Sequence, residues 1–111
     1  MIRVVNKKNY AGSDGVYIGR PSPLGNPFTH LPGANRAETK VATREEAIER
    51  YRAWLPNAIE TDEIVRQAFE HLVEFYKAFG ELTLECWCTP KPCHGDVLRE
   101  MIMERVGEKS D

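Results

Sequence analysis

The chain has 111 residues, 41% of them hydrophobic and 29% charged, and a formal net charge of −2. That length suits one domain able to bury a single core without staples, and the composition is that of a folded soluble protein, not a disordered or membrane one. A net charge near zero also argues against duplex nucleic acid as the partner, because neutralising phosphates needs a basic face.

From the N-terminus, Ile2 to Val5 alternates Ile2 and Val4 against Arg3 and reads as a short strand, followed by the polar connection NKKNYAGSDG. Val16, Tyr17 and Ile18 are β-formers and predict a second strand. GRPSPLGNPF then sets three prolines and two glycines in ten residues, which ends any regular element. With THLPGANRAETKVA it makes an irregular stretch from about Gly19 to Ala42, longer than a compact domain carries without a purpose.

Thr43 and Glu46 form a capping-box pair, so a helix is expected from Thr43 to Leu55, with Ala47, Ile48, Tyr51, Trp54 and Leu55 on its apolar face and Pro56 as its stop. Thr61, Asp62 and Glu63 open a second helix whose apolar stripe runs from Ile64 to Phe79, ending at Gly80. The period then changes to two. Leu82, Leu84 and Cys86 face one way and Thr83, Glu85 and Trp87 the other, predicting a strand that ends at Cys88. A last helix follows, with Asp96 as its cap and Val97, Leu98, Met101, Ile102 and Val106 as its buried face. Residues 1–106 are thus read as one domain and 107–111 as a disordered tail.

All three cysteines and a histidine fall between Cys86 and His94. An odd, clustered set of cysteines suits reduced thiols better than a secreted disulfide framework. The N-terminus MIRVVNKKNY lacks the apolar run of a signal peptide, and no stretch approaches the roughly 20 apolar residues of a membrane span. A cytoplasmic protein without membrane association is the expectation.

The order strand, strand, loop, helix, helix, strand, helix predicts a small single-domain α/β fold, a Rossmann-like sandwich of two or three layers with few strands. In such sheets ligands collect beyond the carboxyl ends of the strands, where loops meet helix N-termini. The GRPSPLGNPF and CTPKPCHGD loops both follow strands.

The combination of YIGRPSPLGNPF, the TREEAIERYRAWL helix and the terminal CWCTPKPCHGDVL resembles the domain of unknown function family 4326, met in bacteria, archaea and phages. The resemblance covers nearly the whole chain and implies no established reaction. A shorter likeness links HGDVLREM to the glycine, aspartate and helix that follow a strand in nucleotide-binding Rossmann-like proteins of the lysine-decarboxylase-like kind.

Three chemistries compete for the cysteine-rich loop. Cys86, Cys88, Cys93 and His94 are the right ligand types for a tetrahedral zinc, although Cys86 and Cys88 sit about 6.5 Å apart on an extended strand and adjacent Cys93 and His94 rarely reach one ion. Their bland counterpart is cysteine as a small buried hydrophobe. Cys93, just before a helix and beside His94 and Lys91, has the neighbours that activate a thiol nucleophile.

The third reading is a ligand loop. Lys91, His94, the Gly95 amide and Asp96 can hold a phosphate and a sugar hydroxyl. From the other loop Arg20 can grip phosphate, Ser22 and Asn26 can hydrogen-bond a base or ribose, and Gly25 permits close approach. Against this stands a rigid turn in which Asn26 bonds its own backbone and Phe28 enters the core. The favoured expectation is a pocket for a nucleotide-like or phosphorylated small molecule, with His94 or Asp96 as acid or base if a glycosidic or phosphate bond is broken there. The alternative is a non-catalytic accessory module held by a zinc site. A homodimer is compatible with so small a sheet.

Overall fold

The computed structural model describes residues 1–30 and 39–107. The fold is a small α/β domain, as the element pattern predicts. Strand β1 is Ile2–Asn6, β2 Val16–Tyr17 and β5 Leu82–Cys86, with short β3, Phe28–Thr29, and β4, Thr39–Lys40, between them. The helices are α1, Arg44–Thr61, α2, Glu63–Phe79, and α3, His94–Arg105.

The main sheet has the order β1, β5, β2, and both pairings are parallel. Ile2 stands opposite Leu82 and Asn6 opposite Cys86, while Tyr17 stands opposite Glu85. The last strand in sequence is therefore the middle strand in space. Five consecutive residues, Leu82 to Cys86, are buried, as expected of a parallel strand covered on both faces.

Leu82, Leu84 and Cys86 join a core that includes Ile18, Tyr51, Leu55, Phe69, Leu72, Val97, Leu98 and Ile102. The other face is also covered, contrary to a simple apolar-in, polar-out alternation. Thr83 accepts a hydrogen bond from Arg3, and Glu85 pairs with Lys7 at 3.3 Å while packing against Gly15. The β1–β2 connection thus serves as a lid over polar residues that are satisfied in pairs.

Four boundaries differ from the sequence reading. Helix α1 runs through Pro56, because Pro56 and Arg52, whose carbonyl loses its helical partner, are both exposed while Tyr51, Leu55 and Ala58 anchor the helix on either side. Asp62, not Thr61, caps α2: its carboxylate accepts from the Ile64 and Val65 amides, and the Thr61 hydroxyl donates back to Asn57. Strand β5 stops at Cys86, two residues early. Helix α3 starts at His94 with Cys93 as its cap, and Asp96 completes the box from inside the helix.

The stretch expected to be irregular contains the parallel pair β3–β4, with Phe28 opposite Thr39. The rest of that stretch, residues 31–38, and the tail beyond Gly107 lie outside the described residues. No helix among the described residues is long and apolar enough to cross a membrane.

Candidate functional site

Because β2 and β5 are parallel neighbours, the chain leaves both at the same edge of the sheet, and the two motif loops meet there. They enclose an open cavity of about 780 Å³ with the N-terminal turn of α1 as a third wall. Tyr17, Gly19, Arg20, Asn26, Phe28 and His30 line it from the β2 side, and Cys86 to His94 from the β5 side. Arg44, Ala47 and Ile48 close it from α1.

The loops are fixed by hydrogen bonds that follow from the strand register. Asn6, at the end of β1, donates from Nδ2 to the carbonyls of Trp87 and Thr89, and the Lys91 amide donates to the Cys88 carbonyl. On the other side the Tyr17 hydroxyl donates to the Arg20 carbonyl and accepts from the Trp87 indole at 3.1 Å, so the two loops are tied to each other. Each loop carries one cis peptide, Arg20–Pro21 and Thr89–Pro90.

Three cationic side chains, Arg20, Arg44 and Lys91, border the cavity, and no carboxylate does among the described residues. Arg20 Nη1 is buried and has no hydrogen-bond partner among those residues. Tyr17, Phe28 and the 57% exposed Trp87 add aromatic surface.

The structure places the residues singled out in the sequence unevenly. Arg20, Asn26, Lys91, Cys88, Cys93 and His94 all line the cavity. Ser22 and Gly25 instead border a second, shallower cleft that Arg20 shares. Asn26 is occupied structurally, donating to the Ala47 carbonyl at 3.1 Å and accepting from the Phe28 amide at 2.9 Å, as the rigid-turn reading has it. Phe28 itself is only partly buried and faces the cavity.

Gly95 is buried away from the cavity: a methyl group there would stand 2.9 Å from Val4 and 3.0 Å from Ile18, so glycine lets α3 press against the sheet. Its amide donates to Cys93 Sγ at 3.3 Å, and Asp96 accepts from the Cys93 amide at 3.1 Å. The Cys93, Gly95 and Asp96 amides are therefore satisfied within the first turn of α3, and neither Gly95 nor Asp96 lines the cavity.

His94 is buried with Nε2 2.7 Å from the Ile18 carbonyl oxygen and its ring edge-on to Tyr51. A carbonyl only accepts, so Nε2 carries the proton. Burial holds the imidazole below its ordinary pKa, outweighing the Ile18 hydrogen bond, and keeps it neutral near pH 7.

The proposed zinc ligands do not assemble. Among the described residues no group of three or more His, Cys, Asp or Glu could hold a metal ion. The reason is local: Cys93 Sγ serves as a helix cap and His94 Nε2 is engaged by a backbone carbonyl.

The structure brings Cys86 and Cys93 together instead, with their sulfurs 3.2 Å apart. Cys86 Sγ is also 3.2 Å from Thr89 Oγ1. The Cys93 thiol donates to Cys86, and with the Thr89 hydroxyl and the Thr89 and Cys88 amides it brings Cys86 down to about 5 against burial. The same contact, together with burial, pushes Cys93 up. These contacts lower Cys86 and raise Cys93, the thiol that the position before the helix had singled out.

Sequence reasoning also left Arg44, Trp87 and Tyr17 out of the site. Arg44 is drawn in by the placement of the α1 N-terminus, which no linear motif encodes. Trp87 carried a detectable signal, since an aromatic residue at a strand end between two cysteines has no buried face to fill once the strand stops.

No curated protein and no solved structure matches this sequence. A family profile matches residues 2–104, which covers both motif loops, α1, α2 and all of α3 but its last residue. On that match the chain belongs to the family described as Domain of unknown function (DUF4326).

Proposed function

We propose that the protein binds a phosphorylated, nucleotide-like small molecule in the cavity between the two motif loops. The observation that carries this reading is the charge of the wall: Arg20, Arg44 and Lys91 border the cavity without a carboxylate among the described residues, and the buried Arg20 Nη1 has no partner there. A buried donor without an acceptor costs stability, and an anionic oxygen supplies the missing acceptor.

Volume and lining agree with a ligand of that class. About 780 Å³ lies within the range of small-molecule sites, and the aromatic rings of Tyr17, Phe28 and Trp87 supply flat apolar surface for a base. Arg20 and Lys91 keep the phosphate-holding role expected of them. No acid or base role rests on Asp96, which is turned into the helix cap, or on His94, whose protonated nitrogen is held by Ile18.

The test is calorimetric titration of the reduced protein with adenosine, AMP, ADP and inorganic pyrophosphate, repeated with Arg20→Ala. Phosphorylated ligands should bind and adenosine bind more weakly or not at all, and Arg20→Ala should weaken phosphate-dependent binding about tenfold or more, the worth of one charge-assisted hydrogen bond. Equal affinity for adenosine and AMP, or binding untouched by Arg20→Ala, would remove the basis of the proposal.

A further inference from the structure

We propose that Cys86 and Cys93 form a reversible thiol–disulfide pair at the floor of the cavity, with Cys86 as the attacking sulfur and Cys93 as the resolving one. The inference does not depend on what the cavity binds.

Geometry carries it. The two free thiols come from opposite sides of the loop, one from the end of β5 and one from the cap of α3, and their sulfurs stand 3.2 Å apart. Closing that gap by about 1.2 Å gives a normal disulfide bond length of roughly 2.05 Å. Both residues line the cavity at 1% and 2% exposure, so the pairing calls for an oxidant small enough to enter it.

The surroundings assign the roles. Cys86 Sγ lies 3.2 Å from both Cys93 Sγ and Thr89 Oγ1, two neighbours able to donate to a thiolate there. Cys93 keeps its proton and accepts from amides of the first turn of α3, the Gly95 amide at 3.3 Å among them. Cys88 lines the same cavity yet has neither arrangement.

With a peroxide as oxidant the chemistry balances. The Cys86 thiolate attacks one peroxide oxygen, the S–O bond forms, the O–O bond breaks, and hydroxide leaves to become water by taking the proton Cys86 released. Cys93 sulfur then attacks the Cys86 sulfenic acid. The S–S bond forms, the S–O bond breaks, and the departing hydroxide takes the Cys93 proton as a second water. Two thiols are oxidised by two electrons and one peroxide is reduced; an added dithiol reverses the bridge by exchange.

The experiment treats the reduced full-length protein with graded hydrogen peroxide near neutral pH, denatures it in N-ethylmaleimide, and maps the bridges by fragmentation mass spectrometry. The expected product has lost two hydrogen atoms, joins Cys86 to Cys93, leaves Cys88 alkylated and returns to the starting mass with dithiothreitol. Cys93→Ser, which keeps a capping oxygen, should instead accumulate a Cys86 sulfenic acid that dimedone traps. Cys86→Ser should slow oxidation of the remaining thiols at least tenfold. A bridge through Cys88, or oxidation of Cys88 ahead of Cys86 in the wild type, would overturn the proposal even if neither variant folds.

Discussion

Removing the Cys93 thiol should raise the pKa of Cys86, and the structure sets the size of the change. The Cys93 thiol is the largest of the influences holding Cys86 at about 5, ahead of Thr89 and the two amides. A hydrogen bond to a charged acceptor contributes roughly 1.5–3 kcal/mol, and each pH unit corresponds to about 1.4 kcal/mol, so Cys93→Ala should move the Cys86 midpoint up by about one to two units. Cys93→Ser, whose hydroxyl can donate in the same place, should leave it nearly where it was. The assay is the pH profile of iodoacetamide alkylation at the Cys86 peptide in a Cys88→Ser background, which removes the competing thiol. The midpoint is a better readout than the rate, because a low-pKa thiolate is abundant yet intrinsically less nucleophilic; at pH 6 the two effects leave only about a tenfold advantage over an ordinary thiol. Cys93→Ala also deletes the α3 cap, on the order of 1 kcal/mol, so circular dichroism must show the helix intact. A wild-type midpoint near 8.5, the usual value for cysteine, or a midpoint unmoved by Cys93→Ala, would refute the donor arrangement.

Three further outcomes follow from single contacts. His94 is neutral when folded and held below its ordinary value of 6.5, so the unfolded chain takes up the proton first and stability should fall as pH drops below about 6.5. In urea titrations from pH 7.5 to 5, His94→Gln should remove that part of the decline, at most about 1.4 kcal/mol per pH unit. Pro56 lies exposed inside α1, so Pro56→Ala should stabilise by roughly 1–3 kcal/mol, seen as a higher urea midpoint at unchanged slope. The fully buried Tyr51 hydroxyl donates to the Leu24 carbonyl at 2.7 Å, and Tyr51→Phe should cost about 1–3 kcal/mol in the same assay by leaving that carbonyl unpaired.

The elements that were legible in the sequence are those whose signal is local. Thr43 does cap α1 through the Glu46 amide, Gly80 does end α2 with φ 73°, and the period-two run before the cysteines is a strand. What misled was the treatment of single residues as sufficient stops or caps. Pro56 forbids one hydrogen bond, and a helix anchored by Tyr51, Leu55 and Ala58 tolerates that loss on its wet side. Asp96 is a good cap by type, but a residue three places earlier can cap as well and let Asp96 reach back to it, and sequence alone does not rank the two. That the two odd loops after two strands meet at one cavity was readable. The partners inside it were not, because the adjacency of β5 and β2 and the approach of Arg44 depend on a sheet order that sets the last strand between the first two.

The same sheet order sets what the end of α3 offers the cavity. In the common arrangement a helix N-terminus after a parallel strand turns its free amides toward an anion. Here the Cys93 and Asp96 box uses amides of that turn internally, and Gly95 is pressed against Val4 and Ile18, beneath the cavity floor. The α3 terminus instead bonds to the cysteine sulfur, which Cys86 in turn touches. The cavity is left with two separate kinds of chemistry: side-chain cations, Arg20, Arg44 and Lys91, that can grip an anion, and a sulfur pair that the helix cap keeps in register. An anion held by side chains needs no helix end, which frees the end of α3 to position a thiol.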